Sequence, residues 1–542
     1  MVAKLIGKRK VAALLLIVAL GFCLRLRGLG SVGFNEDEVQ KVLAARSYVH
    51  GQFSVNLEHP MLMKSLIAVS LAAADCWNHG PGRSHQVPEE ASVRLPNVVF
   101  GALTAAVLFL VGQELFGATI GLISAFLWAI GTIAITVNRV AKEDTLLVLF
   151  TWLAYYFYLR AKNLFRGEQL STTNVKRERT FYAASGASFG LMLASKYFPH
   201  YMGLNALYHY IHGKTHPCKP LGKLNILLFL GLCALVFILF NPCVLLPSTL
   251  QYISHYAAGS SITHHGYLMM GHLYHEDVAS VSGGMPTYFY ILLLAIKTPL
   301  PILAALLVGL VVTWNRRREA GSGFLLFVFC SWIIPFSLVG PKWVRYMLSW
   351  MPAVYIVAAI GLASLYSWLL AMASQRMSGG AAQALVACFA VVFMANPLWA
   401  VTKCAPYYSL YTNVLGRGHT AYYFPHDEMN DMGIRTAIER IAEEAPHGAS
   451  VGGEAEPVFS YYFHKFGRDD LQYFDLCDAA KRMSAPYSAF LVFQDGRTYF
   501  ENASFVQSVE SRQLPIQTVE IGGADAARIY HNAEWAELEA SR

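Results

Sequence analysis

Near the start of the chain, Asn35-Glu36-Asp37-Glu38 places three carboxylates in a row, and Glu58-His59-Pro60 follows. Arg94 comes next. Arg139, Lys142, Glu143 and Asp144 then fall within six residues, followed by Lys196 and later by Lys342 and Arg345. Carboxylates and cations gathered at one surface suit the transfer of a group from a phosphate ester. A carboxylate can accept the proton of an incoming hydroxyl. Cations can hold the phosphate and stabilise the charge that it gains as it leaves. Taken singly, each has a blander meaning. An acidic run is usually a solvated loop, and a lone Arg at a span end usually reaches for headgroups. What matters is whether the chain brings them together.

The elements between these residues are long and apolar. The chain has 542 residues, 55% hydrophobic and only 14% charged. Soluble domains carry about 25% charged residues, so a disordered chain, a soluble nucleic-acid binder and an ordinary cytosolic enzyme are excluded. No nucleic-acid partner is expected; membrane lipid is. A bilayer core takes about 20 apolar residues per helix. Candidate spans lie near 11–28, 92–113, 117–137, 144–161, 181–195, 198–212, 224–243, 290–314, 323–340, 346–370 and 380–401, about eleven in all. The stretch 60–77 contains Lys64, Asp75 and Cys76 and reads as a helix lying at the interface. The first span runs into Leu24-Arg25-Leu26-Arg27 without a small-residue cleavage site, so it is expected to remain as an anchor. In Lys297-Thr298-Pro299-Leu300-Pro301 a helix should end at Thr298 and a span begin at Pro299.

Lys and Arg in the short loops set the orientation. Lys4, Lys8, Arg9, Lys10, the clusters at 160–179, 214–223 and 316–318, and Arg376 fall on one side, whereas the loop 244–287 has no Lys or Arg. The expected arrangement is an integral protein of the plasma or inner membrane with a cytoplasmic N-terminus. The carboxylates and cations above then collect on the opposite, extracytoplasmic face. Residues 1–401 form the membrane part, with outer-face helices over about 34–77 and an outer loop at 244–287. The tail, 402–542, has 20 Asp and Glu against 12 Lys and Arg, a net of −8 that leaves +15 on the membrane part. Helical spacing from Met429 to Ala445 and strands at Ala489–Phe493 and Ile516–Ile521 suggest a soluble extracytoplasmic α/β domain. There is no CxxC, so a thiolate zinc site is excluded. Cys404 and Cys477 could pair, although free buried cysteines are the simpler reading.

Five histidines, His255, His264, His265, His272 and His275, lie within 21 residues of the outer loop and precede Glu276-Asp277. Their spacing matches no standard metal motif, and His264 and His265 read as acceptor-side or supporting groups. No cofactor is expected; a divalent ion at this loop is the alternative.

Several short segments, in order, resemble the GT-C glycosyltransferases, in the protein O-mannosyltransferase-like branch that includes aminoarabinose transferases. Asp37-Glu38, Ala45-Arg46 and Gly51 look like the acidic first-loop motif. His59-Pro60-Met61-Leu62 looks like the Lys/His-Pro-Pro-Leu segment, with Met61 in place of the second Pro. Ser92-Val93-Arg94-Leu95-Pro96 resembles the Arg-x-Pro second span. Arg139 to Asp144 resembles the second acidic turn, and Gly186, Gly190 and Lys196 the Gly-rich span followed by Lys. The resemblance spans residues 11–350; the tail matches no named family.

The resemblance implies a polytopic α-helical GT-C enzyme, inverting and metal-independent. Its donor would be a polyprenyl-phosphate sugar, and its acceptor a protein, lipid or glycan. Asp37 would be the general base, and Glu38 would position a substrate. Arg94 would support the loop or contact phosphate. Glu36-Asp37 is also an acidic pair, but Asp37-Glu38 preserves the spacing to Gly51. Lys342 and Arg345, helped by Lys196 and Arg139, are the donor-phosphate candidates. Glu36, His59, Lys142 and Asp144 are supporting. The alternative is a transporter or flippase of lipid-linked sugar. Transporters favour internal repeats and broken helices, and neither is visible in the sequence.

Overall fold

The computed structural model describes residues 7–80, 85–164, 172–197, 222–257, 266–486 and 488–532. Ten of the eleven expected spans fall on helices or helix pairs; the stretch 198–212 lies outside the described residues. Among the described residues, five helices are long and apolar enough to cross a membrane: Glu89–Phe116, Lys223–Phe240, Ala320–Leu338, Met351–Ser374 and Gly379–Cys404. A sixth results if Ala118–Ile130 and Thr132–Asn138 count as one bent span. Of the other expected spans, 181–195 falls on a helix with a charged first half, Thr172–Ser195, 11–28 and 144–161 on helices with charged ends, Lys8–Leu26 and Asp144–Asn163, and 290–314 on the shorter pair Phe289–Lys297 and Leu300–Asn315. Leu227 and Leu239 are each 67% exposed on Lys223–Phe240, as side chains facing lipid are.

Among the described residues, two of the expected apolar stretches are broken into two helices each. Ala118–Ile130 meets Thr132–Asn138 at 60°. Gly131 between them is extended, and a Cβ there would lie 1.9 Å from the Tyr355 hydroxyl. This corrects the expectation that no span is broken: an apolar stretch around one glycine gives no sign that an aromatic ring will fill its side. The second break falls at the expected Thr298-Pro299, between Phe289–Lys297 and Leu300–Asn315. Pro299 lacks an N–H and keeps Thr298 out of the helical region. Asn413 takes up the exposed carbonyls: its Nδ2 donates to Ala295 and Thr298, both at 2.7 Å, and its backbone N–H donates to Ile296 at 2.9 Å.

Gly186 and Gly190 let Thr172–Ser195 lie close to Lys223–Phe240. A Cβ at Gly186 would stand 2.2 Å from the Phe229 carbonyl oxygen, and one at Gly190 2.6 Å from that of Cys233. Small residues four apart are the usual means of close helix approach in lipid. Gly186→Leu should destabilise the protein by about 1–3 kcal/mol, the usual cost of overpacking. An unchanged unfolding temperature in detergent would refute this.

A short hairpin, β1 (Tyr267–Met269) and β2 (His272–Tyr274), precedes the later helices. The tail builds a five-stranded sheet from β3 (Ser450–Gly453), β4 (Gln472–Asp475), β5 (Phe490–Gln494), β6 (Gln517–Ile521) and β7 (Ala524–His531). The strand order is β4-β3-β5-β7-β6. β3 pairs in parallel with β4 and β5, whereas β7 is antiparallel to β5 and β6. The expected helix from Met429 begins later, at Ile434, because Asn430 and Asp431 turn to positive φ (44° and 62°). Cys404 and Cys477 are both free thiols.

The sheet shares its core with the helices Glu36–Val49 and Met61–Asn78. One continuous cluster joins Phe34, Val39, Val42, Leu62 and Ile67 to Ile434, Ile438, Phe459, Val492 and Ile529. Residues 34–71 and the tail therefore bury their apolar faces against each other.

Candidate functional site

The acidic run opens the helix Glu36–Val49. Asn35 caps it: its Oδ1 accepts from the Glu38 N–H at 2.9 Å, and Glu38 Oε2 accepts from the Asn35 N–H at 3.2 Å. Helix periodicity then points the three carboxylates in three directions, and each meets a different partner.

Glu38 turns inward and is fully buried. Arg94 grips it with two bonds, Nε to Oε1 at 2.8 Å and Nη2 to Oε2 at 2.7 Å. The remaining Arg94 donors go to the carbonyls of Leu29, Val32 and Gly33. Glu38 Oε1 also accepts from the Ala141 N–H at 2.9 Å. Asn97 Nδ2 donates to the carbonyls of Val140 and Lys142. The second acidic turn is thus fastened to the first. Pro96, two residues after Arg94, cannot donate to the Ser92 carbonyl, which accepts from the Ser70 hydroxyl at 2.6 Å instead.

Asp37 is half open, with its side chain 37% exposed. Lys142 Nζ lies 2.5 Å from Oδ1, and Arg345 Nη1 lies 3.6 Å from Oδ2. Burial alone would raise its pKa, but Lys142, Arg345 and Lys41 hold it well below the usual carboxylate range. Burial, more than Asp37 can offset, brings Lys142 down to about 8. Arg345 lies over the rings of Trp343 (4.7 Å) and Tyr346 (5.6 Å), and its buried Nε has no bonding partner among the described residues. Behind Asp37, Lys41 Nζ stands 3.1 Å from Glu143, both side chains being fully buried. His59 Nδ1 is 3.8 Å from the same carboxylate and Nε2 is 3.6 Å from Glu58. Burial keeps the His59 imidazole well below its usual pKa, and therefore neutral.

Of the residues singled out in the sequence, Asp37, Lys142 and Arg345 meet directly. Asp144 pairs with Lys196 at 2.8 Å, and Lys196 shares the Tyr346 ring with Arg345. Glu36 faces the tail. Three cations lie elsewhere. Arg94 is taken up as above. Arg139 donates to the carbonyls of Arg25, Arg27 and Gly28 at 2.6–3.0 Å. Lys342 is enclosed by Ser280, Met285 and Val339. Their donors close loops and helix ends, so they are not presented to a ligand at Asp37. His264 and His265 lie outside the described residues; His275 stacks on Phe500 at 4.4 Å. Among the described residues no three His, Cys, Asp or Glu side chains are grouped to hold a metal ion.

The sequence reading missed four groups. Lys41, one turn after Asp37, donates to the Asp37 carbonyl at 3.3 Å; its spacing of four was the available signal. From the tail come Asp427, Asp431 and Arg497, which no local pattern marks. Asp427 accepts from the Tyr267 hydroxyl at 2.6 Å, and burial raises its pKa to about 6.

Residues 86–245 match the sequence model of the dolichyl-phosphate-mannose-protein mannosyltransferase family. No curated protein sequence matches the chain. Apo ArnT from Cupriavidus metallidurans superposes with a TM-score of 0.53 at 14% identity, covering 97% of this chain and 98% of that one. The same enzyme bound to undecaprenyl phosphate gives 0.50 at 14% identity, with 96% and 97% covered. The apo oligosaccharyltransferase of Archaeoglobus fulgidus gives 0.53 at 11% identity over 90% of this chain and 69% of that one. The likeness to the GT-C glycosyltransferases read from short motifs therefore holds for the fold, and residues 86–245 carry the sequence pattern of the mannosyltransferase family.

Proposed function

We propose that this integral membrane protein of the GT-C glycosyltransferase fold transfers a sugar from a polyprenyl phosphate to an acceptor hydroxyl on the extracytoplasmic face, with inversion. One observation carries the reading: a half-open Asp37 carboxylate stands between two cations, Lys142 and Arg345, in a chain with long apolar helices. That ArnT binds undecaprenyl phosphate supports a lipid-phosphate donor.

The donor phosphate lies on Arg345 and Lys142. Drawing these cations toward itself, it weakens the field that holds the Asp37 pKa down. Asp37 then becomes a better base when an acceptor hydroxyl arrives. The acceptor proton passes to the Asp37 carboxylate, the acceptor oxygen bonds to the anomeric carbon, and the bond from that carbon to the phosphate oxygen breaks. The phosphate leaves with the electron pair and is stabilised by Arg345. Glu38 and Arg94 hold the loop and touch neither substrate. The acceptor is a protein, lipid or glycan, and no metal takes part.

The deciding experiment is incubation of the purified protein with labelled polyprenyl-phosphate sugars in detergent. Release or transfer of label supports the reading. Failure across the panel, with vesicle uptake or flipping of the same lipids, supports the transporter, which the two broken helices keep in view. The rate should also fall as pH rises through about 8, where Lys142 loses its charge. Lys142→Arg should move that limb upward; a pH–rate profile with an unmoved limb would remove Lys142 from the step.

A further inference from the structure

We infer that Arg497, from the tail, is a positioning residue for the acidic loop and acts on Asp37 through Glu36 and Asp431. The inference rests on the reading of Asp37 as the base. Arg497 binds Asp431 with two bonds, Nε to Oδ1 at 2.9 Å and Nη2 to Oδ2 at 2.7 Å. Its Nη1 reaches Glu36 Oε2 at 3.0 Å, across 461 positions of sequence. The Asp431 carboxylate in turn accepts from the Glu36 backbone N–H at 3.1 Å. The ring therefore closes on one residue, holding both its main chain and its side chain. That residue immediately precedes Asp37 and opens its helix.

Arg497 is itself braced. Nη1 also donates to the Tyr499 hydroxyl at 3.2 Å, Asn502 Nδ2 donates to the Arg497 carbonyl at 3.1 Å, and the Tyr499 N–H donates to Asn502 at 2.7 Å. The guanidinium is almost wholly buried, 7% exposed as a residue.

Adhesion between the tail and the first loop does not need this ring. Arg435 donates to the carbonyls of Gly30 and Ser31 at 3.2 and 2.8 Å. The Tyr462 hydroxyl accepts from the Phe34 N–H at 2.7 Å, and Lys465 pairs with Glu90 at 3.0 Å. The shared apolar core adds to these. What the Arg497 ring adds is the placement of residue 36. A charged fork with fixed geometry sets the direction of the helix start, and with it the reach of Asp37 toward an acceptor.

The test compares full-length Arg497→Met, Arg497→Lys, Glu36→Gln and Asp37→Asn for transfer, donor KM and unfolding temperature. Arg497→Met is expected to lower kcat by about 10²-fold with donor KM unchanged, as for a small misplacement of a reacting group. Arg497→Lys should recover part of this loss. Glu36→Gln, whose side chain is 46% exposed, should fold normally and lose kcat without a change in donor KM. A folded Arg497→Met or Glu36→Gln with wild-type kcat, beside an inactive Asp37→Asn, overturns the inference and spares the reading beneath it. An active Asp37→Asn overturns that reading instead. Should Arg497→Met not fold, Glu36→Gln decides alone.

Discussion

Asp37→Asn should lower the transfer rate by about 10²–10⁴-fold, the range for loss of a general base, and leave the protein folded with its donor bound. The amide keeps the shape of the carboxylate, so the helix cap made by Asn35 and Glu38 is untouched. Stability should not suffer greatly: the side chain is 37% exposed, and the Asn amide oxygen can still accept from Lys142 and Arg345. Donor affinity should hold or rise, because a carboxylate that competes with phosphate for both cations is gone. The combination is the diagnostic. Lost turnover with retained lipid-phosphate binding, read by the intrinsic fluorescence of Trp343 beside Arg345, fits a base. Full turnover would remove Asp37 from the reaction, and a joint loss of binding and unfolding temperature would make it a structural residue.

The second large effect is expected at Arg345. Arg345→Met should cost about 10²–10³-fold in kcat, as when one preorganised donor to a developing anion is removed, and should also weaken donor binding. Arg345→Lys should not restore the rate. The guanidinium lies over the Trp343 and Tyr346 rings and presents separate N–H groups, one to Asp37 and one without a partner. A lysine ammonium is a point charge that neither stacks nor forks. Kinetics on both variants with a defined donor would measure this; wild-type kcat/KM in either would place the phosphate elsewhere.

How much of this was legible in the sequence varied with the range of the interaction. Apolar spans and the acidic loop are local and could be read directly. The register among Glu36, Asp37 and Glu38 could not. One residue of helix turns a side chain through about 100°, which sends Glu38 to Arg94, Asp37 to Lys142 and Glu36 to Arg497. Cations were the hardest to judge. Lys342 and Arg345 lie three residues apart with similar flanks, yet Lys342 closes a loop by binding carbonyls and Arg345 reaches Asp37. Charge in the sequence says that a donor is present. Only packing decides whether a backbone carbonyl has already taken it. The tail residues were beyond reach, because nothing within 390 positions of Asp431 hints at its bond to Glu36.

That long-range bond bears on biosynthesis. The acidic helix is made early and its clamp very late, 461 residues on. At ribosomal speeds of about 5–20 residues per second the gap is about 20 to 90 seconds. During that interval the growing chain has its membrane helices and the Asp37 carboxylate but not the guanidinium that binds Glu36. On the proposed reading, competence waits for Arg497, which follows β5, and a chain cut short before residue 497 carries the acidic helix without its clamp.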